Sequence, residues 1–132
     1  MRDYQRMKNN KYILPNAVYH RTIWTIRDYY RLLAEADELI TASPQPPDGM
    51  PKGDDVGSPV ENKVMARERL MLEVTAIDGA LKTIPPEYRH AVWANIQFGA
   101  RYPNHAERAT YGHYKSKFIC EVAKRLKYID DL

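Results

Sequence analysis

Cations set at helical spacing near the end of the chain are the residues whose chemistry is most easily named. In the segment Thr110 to Ile129, TYGHYKSKFICEVAKRLKYI, a rotation of about 100° per residue puts His113, Lys117, Lys124 and Lys127 on one side. Tyr111, Tyr114, Phe118, Val122, Leu126 and Ile129 fall on the other. Cationic groups presented from one helix face attract phosphate oxygens and release counterions condensed on a nucleic-acid backbone. An ordinary solvated helix face has the same composition. Arg101 and Arg108, just upstream, add two guanidinium forks suited to phosphate, and Gly112 leaves room for close approach beside His113. Base edges and phosphates fall within reach of His113 and Lys117, and a flanking backbone within reach of Lys124 and Lys127.

Other chemistry finds no support in the residue pattern. His20, His90, His105 and His113 are scattered, and no zinc-protease, nucleophile-elbow or glycine-rich phosphate-loop pattern occurs. Asp48, Asp54 and Asp55 lack the spacing and closing glutamate of a calcium loop. Cys120 is the only cysteine, so no internal disulfide or cysteine-based zinc site can form; the projection places it on the basic side as a free surface thiol. The expectation is a non-enzymatic protein with no catalytic residues, no metal and no cofactor.

Positioning those cations requires helices. The 132 residues carry a net charge of +3, unevenly distributed. Residues 1 to 27 hold six Lys/Arg against Asp3, residues 28 to 62 hold two against eight acids, and residues 99 to 129 hold seven against Glu107 and Glu121. Both ends are basic around an acidic middle. Residues 1–14 lack periodicity and read as a flexible basic arm. From Pro15, apolar residues recur at steps of three and four through Tyr19, Ile23, Ile26, Tyr30, Leu33, Ala36 and Ile40, which predicts one long helix over 15–43. Five of the nine prolines and three of the six glycines fall between Ser43 and Pro59, so 44–59 reads as a turn-rich loop.

Ser58 then caps a second helix, with Pro59 at its first position and Val64, Leu70, Val74, Ile77, Leu81 and Ile84 as its buried side. Pro85-Pro86 ends it near Thr83 and opens a third helix, PEYRHAVWANIQF, which Gly99 closes. Thr110 caps the last helix, and Ala100–Ala109 holds at most one turn of helix. Strand-like alternation is missing, so the fold class is all-α, a small helical bundle. Tyr19, Tyr30, Tyr88, Tyr111 and Tyr114, with Trp24 and Trp93, are assigned to the core and to helix interfaces rather than to base stacking. The long first helix is expected to pack on the second, with pairing to a second chain, a homodimer, as the alternative.

No apolar run reaches the roughly 18 residues of a membrane span, and the N-terminal residues lack a signal-peptide core, giving an expectation of a cytoplasmic protein with no membrane partner. IPPEYRHAVWANIQFG followed by TYGHYKSKFICEVAKRL resembles region four of sigma-70 factors, and more closely the phage transcriptional regulators of the RinA and ArpU type that share this sigma-like half. The final helix of those regulators has the form T-Y-x-x-Y-K-x-x-F-x-x-x-x-A-x-x-L, matched here by Thr110, Tyr111, Tyr114, Lys115, Phe118, Ala123 and Leu126. Residues 60–132 would then form the sigma-region-four-like unit, a helix-turn-helix whose scaffold helix is shortened to about one turn between Phe98 and Thr110.

The resemblance implies binding of double-stranded DNA, and contact with RNA polymerase, to switch phage genes in a bacterial host cytoplasm. On that footing Arg101, Arg108, Thr110, Gly112, His113, Lys117, Lys124 and Lys127 are the DNA-binding candidates. The alternative is a helical protein-interaction module. The two separate on the surface, where a DNA binder joins arm and last helix in one basic surface and an adaptor exposes an apolar patch.

Overall fold

A computed structural model describes residues 4–41, 59–103 and 107–130. The described residues are all-α, with five helices: α1 (Asn16–Arg27), α2 (Tyr29–Thr41), α3 (Pro59–Leu81), α4 (Pro86–Phe98) and α5 (Arg108–Arg125). Of the loop expected at 44–59, residues 44–58 lie outside the described residues, as do Ser58 as a cap and His105, and Pro59 opens α3.

The long first helix is interrupted at Asp28. The Asp28 amide is shared between the carbonyls of Trp24 and Thr25, each at 3.1 Å, and the helix resumes with the Leu32 amide on the Asp28 carbonyl at 3.0 Å. Arg31 clamps the Asp28 carboxylate through Nε and Nη2, both at 2.6 Å. That hydrogen bond holds the Asp28 carboxyl below the usual carboxylate range, against a smaller opposing effect of burial. The break serves different partners: α1 packs on α4 and α5, whereas α2 runs along α3. It also turns the apolar stripe. Tyr19, Ile23, Ile26 and, beyond Asp28, Ala36 are buried as expected, but Leu32 is buried in place of the half-buried Leu33, and Tyr30 is exposed; the side chain of Ile40 lies outside the described ones. Tyr29 takes the inward place, donating its hydroxyl to Asp78 Oδ1 of α3 at 2.8 Å; burial, with that acidic partner, pushes its phenol up to about 12.

One core joins the parts. Ile23 and Ile26 of α1, Ile77 and Ala80 of α3, Val92 and Ile96 of α4, and Phe118, Ile119, Val122 and Ala123 of α5 form a single buried cluster. Ile84 sits at the α3–α4 corner within it, and Leu14 of the arm joins it. Each fully buried aliphatic or aromatic side chain of this kind contributes about 1.5–3 kcal/mol. The corner is closed by Arg89, whose Nε reaches the Ile84 carbonyl at 2.9 Å and Nη2 the Lys82 carbonyl at 3.1 Å, satisfying carbonyls beyond the end of α3. Pro86 opens α4 and Gly99 closes it at φ 69°, as the sequence predicts. The far ends of α1 and α4 are linked reciprocally, Arg27 Nε to the Ile96 carbonyl at 2.9 Å and Gln97 Nε2 to the Ile26 carbonyl at 2.6 Å.

Several surface assignments change. Trp24 is 62% exposed and carries the Arg27 guanidinium 5.0 Å above its ring, so it is not a core residue. Val64 is exposed as well. Residues 4–14 are packed down rather than free: Gln5 donates Nε2 to the Leu14 carbonyl at 2.8 Å and accepts the Leu14 amide at 2.6 Å, and the Tyr19 hydroxyl donates to the Tyr4 carbonyl at 2.8 Å.

Candidate nucleic-acid interface

The last helix is the hub of the bundle rather than a helix laid on its surface. α1, α3 and α4 all pack on α5, which buries Tyr111, Ser116, Phe118, Ile119, Cys120, Val122 and Ala123. Cys120 was expected on the open basic side; it is 6% exposed and belongs to the core cluster. The projection failed there because a helix contacted by three neighbours has no single outward face. The basic stripe is therefore divided, with the buried Cys120 between Lys117 and Lys124.

α5 begins three residues earlier than expected, with Glu107 rather than Thr110 in the cap position. Glu107 precedes it without a side-chain cap bond, and half-buried Thr110 lies inside the first turn instead of capping it. The connection before it is ordered by Asn95, which donates Nδ2 to the Ala100 carbonyl at 2.9 Å and accepts from Lys115 Nζ at 2.8 Å. Tyr102 stacks on Tyr111 at 4.7 Å and 8°, Tyr111 meets Tyr88 edge-on at 5.3 Å, and Tyr88 stacks on Tyr114 at 4.8 Å. Burial pushes the Tyr102 phenol up to about 12, the nearby Arg108 charge acting against it. Among the described residues of 99–107 there is no helical turn. Instead, aromatic stacking anchors the start of α5.

At that start the arm arrives. Arg6 donates Nη1 to the Ala109 carbonyl at 2.7 Å and Nε to the Lys8 carbonyl at 3.1 Å. The space that Gly112 leaves is occupied by Arg6: a Cβ there would lie 3.1 Å from its Nη1 and 3.5 Å from its Cδ. Tyr12 packs on His113 with ring centroids 5.6 Å apart, and Lys11 Nζ stands 5.5 Å from the Tyr12 centroid. Burial first, then the charges of Lys11, Lys117 and Arg6, holds the His113 imidazole below its ordinary value. Arg6, Lys11 and Lys117 therefore gather their charges around His113 in one basic cluster, in which the half-buried His113 and Lys117 are a turn apart.

The remaining candidates divide. Arg101 and Arg108 are exposed, the former beside Tyr102 in the chain. Lys124 and Lys127 lie at the opposite end of α5, roughly 16 Å along the axis from His113 to Lys124. There they share a shallow depression with Glu121 and Arg125, whose closest approach is 3.9 Å. Lys127 is outside the helix, at φ 63°. Sequence reasoning missed Arg6 and Lys11 because nothing local fixed the arm; the signal available was its excess of cations and the glycine at position 112. Among the described residues no group of three His, Cys, Asp or Glu could hold a metal ion, and no helix is long and apolar enough to cross a membrane. No protein-family model, curated protein or solved structure matches the chain.

Proposed function

We propose that this protein binds double-stranded DNA without catalysing a reaction, and that it acts as a phage-encoded transcriptional regulator of the kind its last two helices resemble. The supporting observation is the seam between arm and α5. Arg6 and Lys11, remote in sequence from His113 and Lys117, converge with them on one cationic cluster. Such a cluster suits a run of phosphates, with Arg101 and Arg108 as further phosphate contacts. Because α5 is held on several sides, its contact with DNA runs through its first turns, and sequence preference arises chiefly there and from the shape of the duplex. Lys124 and Lys127 contribute little, being separated from the cluster and mixed with Glu121.

The test is a gel shift with duplex DNA flanking the gene, comparing wild type with His113→Ala/Lys117→Ala. Loss of the shift with an unchanged helical circular dichroism spectrum supports the site; an unchanged shift removes it. A second reading, a protein-interaction module for RNA polymerase or a phage protein, is favoured by the exposed apolar side chains Val64, Met65 and Leu72 on α3.

A further inference from the structure

We propose that the corner between the start of α2, the end of α3 and α4 is a binding site for a protonated alkylamine. An open depression of about 490 Å³ lies there, lined by Tyr29, Tyr30 and Leu33 of α2, Asp78 and Leu81 of α3, and Trp93 of α4. That volume falls among those of small-molecule sites, roughly 300–1,000 Å³. The restart of the helix after Asp28 delivers two successive tyrosines to it, Tyr29 toward α3 and Tyr30 toward α4. The three rings stand nearly perpendicular to one another: Tyr29 and Tyr30 at 88° with centroids 5.4 Å apart, Tyr29 and Trp93 at 84° and 4.9 Å, Tyr30 and Trp93 at 84° and 6.1 Å. Planes so arranged are the walls of a corner rather than the layers of a stack, and the electron-rich faces of aromatic walls attract a cation. Hydrogen bonds fix the walls, Trp93 Nε1 donating to the Tyr30 hydroxyl and the Tyr29 hydroxyl to Asp78 Oδ1, each at 2.8 Å.

Asp78 selects the ligand. Its carboxylate is half-buried, accepts one hydrogen bond from Tyr29, and among the described residues takes part in no ion pair. With its phenol pushed up to about 12, Tyr29 keeps the proton and Asp78 the negative charge. The remaining lone pairs of Asp78 are left for a donor from outside the chain. An ammonium supplies that N–H and a positive charge together, while its alkyl chain lies along Leu33 and Leu81. A quaternary ammonium lacks the N–H, and an anion is repelled. Arg89 and His90 also line the depression, and neither pairs with Asp78. Arg89 turns Nε to the Ile84 carbonyl and Nη2 to the Lys82 carbonyl, so its charge is directed at the end of α3, and His90 is exposed to solvent.

Proton–nitrogen correlation NMR on the full chain reads this site directly, because the indole N–H groups of Trp93 and Trp24 give separate signals and Trp24 does not line the depression. The probes are n-butylammonium chloride, the lysine side chain as Nα-acetyl-lysine methylamide and, as an uncharged counterpart, n-butanol, all at constant ionic strength. The expected result is a saturable shift of the Trp93 signal with butylammonium, with a Kd on the order of millimolar for so small a ligand. Butanol should bind at least about fivefold more weakly. Asp78→Asn, which keeps an acceptor for the Tyr29 hydroxyl, should weaken butylammonium at least about tenfold, and Tyr30→Leu at least about threefold. Saturation by both amines assigns the site to a lysine side chain of a partner, and saturation by butylammonium alone assigns it to a free amine. The proposal is overturned by the absence of a saturable shift up to about 50 mM, by an equal response to butanol, or by an Asp78→Asn variant that keeps its circular dichroism and binds as wild type does. None of these readings involves DNA, so the outcome is independent of the nucleic-acid assignment.

Discussion

Arg6 Nη1 donates to the Ala109 carbonyl at 2.7 Å, tying together residues 103 apart in the chain. One guanidinium thereby docks the arm, adds a donor to a carbonyl in the first turn of α5 and brings its charge beside His113 and Lys117. The arm supplies one side of the site, although its composition suggested only a loose basic tail.

The fit of Arg6 against Gly112 is testable by a double-mutant cycle. Alanine in place of glycine within a helix gains about 1 kcal/mol from propensity. In wild type the new methyl meets the Arg6 side chain at 3.1 Å, which offsets part of that gain. In urea denaturation, Gly112→Ala should stabilise the Arg6→Ala background more than wild type by at least about 0.5 kcal/mol. Additive effects would mean that Arg6 does not occupy this space.

His113 makes the fold acid-sensitive in a definite direction. Burial, then the charges of Lys11, Lys117 and Arg6, lower its pKa from 6.5 in the folded state. Above that value the imidazole is neutral in folded and unfolded chains and contributes nothing. As pH falls through it the unfolded chain takes up the proton first, so stability declines toward acid. Between about pH 7.5 and 5.5, the Tm should fall more steeply for wild type than for His113→Gln. Phosphates at the cluster favour the charged imidazole, so DNA affinity should rise toward acid more in wild type than in the variant. Parallel pH profiles would remove His113 from the cluster.

Burial of Cys120 predicts its reactivity. A thiol in the core is reached only through opening of the structure. Its modification by a disulfide reagent should be at least about 100-fold slower in native buffer than in denaturant, and should accelerate with urea in step with unfolding. A full-rate burst under native conditions would restore the surface thiol that the helical projection implied.

The proline and glycine signals around α4 were legible because they act locally. Pro86 fixes φ at the first helical position and Gly99 accepts φ 69°, and both fall where the sequence places them. The stripe of α1 was equally plain as far as Ile26. Asp28 was invisible as a break because aspartate is tolerated within helices, and the interruption follows from tertiary partners: α4 and α5 for one half, α3 for the other. Among the site residues, His113 and Lys117 emerged from periodicity. Arg6 and Lys11 required long-range contacts that no local pattern encodes. Lys124 and Lys127 shared their projected face, but the packing of α5 against three helices and the left-handed turn at Lys127 separate them from the cluster.

The salt dependence of DNA affinity, measured for wild type and for Lys11→Ala/Lys117→Ala, bears most directly on the cationic seam. With about four phosphate contacts at the seam and Arg101 and Arg108 adding to them, log K should fall against log salt with a slope of about −3.6 or steeper, a loss of at least roughly 100-fold between about 50 and 200 mM. The double variant should flatten that slope by about 1.8, whereas Lys124→Ala/Lys127→Ala should leave it near wild type. A wild-type affinity indifferent to salt, or a slope that responds to Lys124 and Lys127 but not to Lys11 and Lys117, would contradict the assignment.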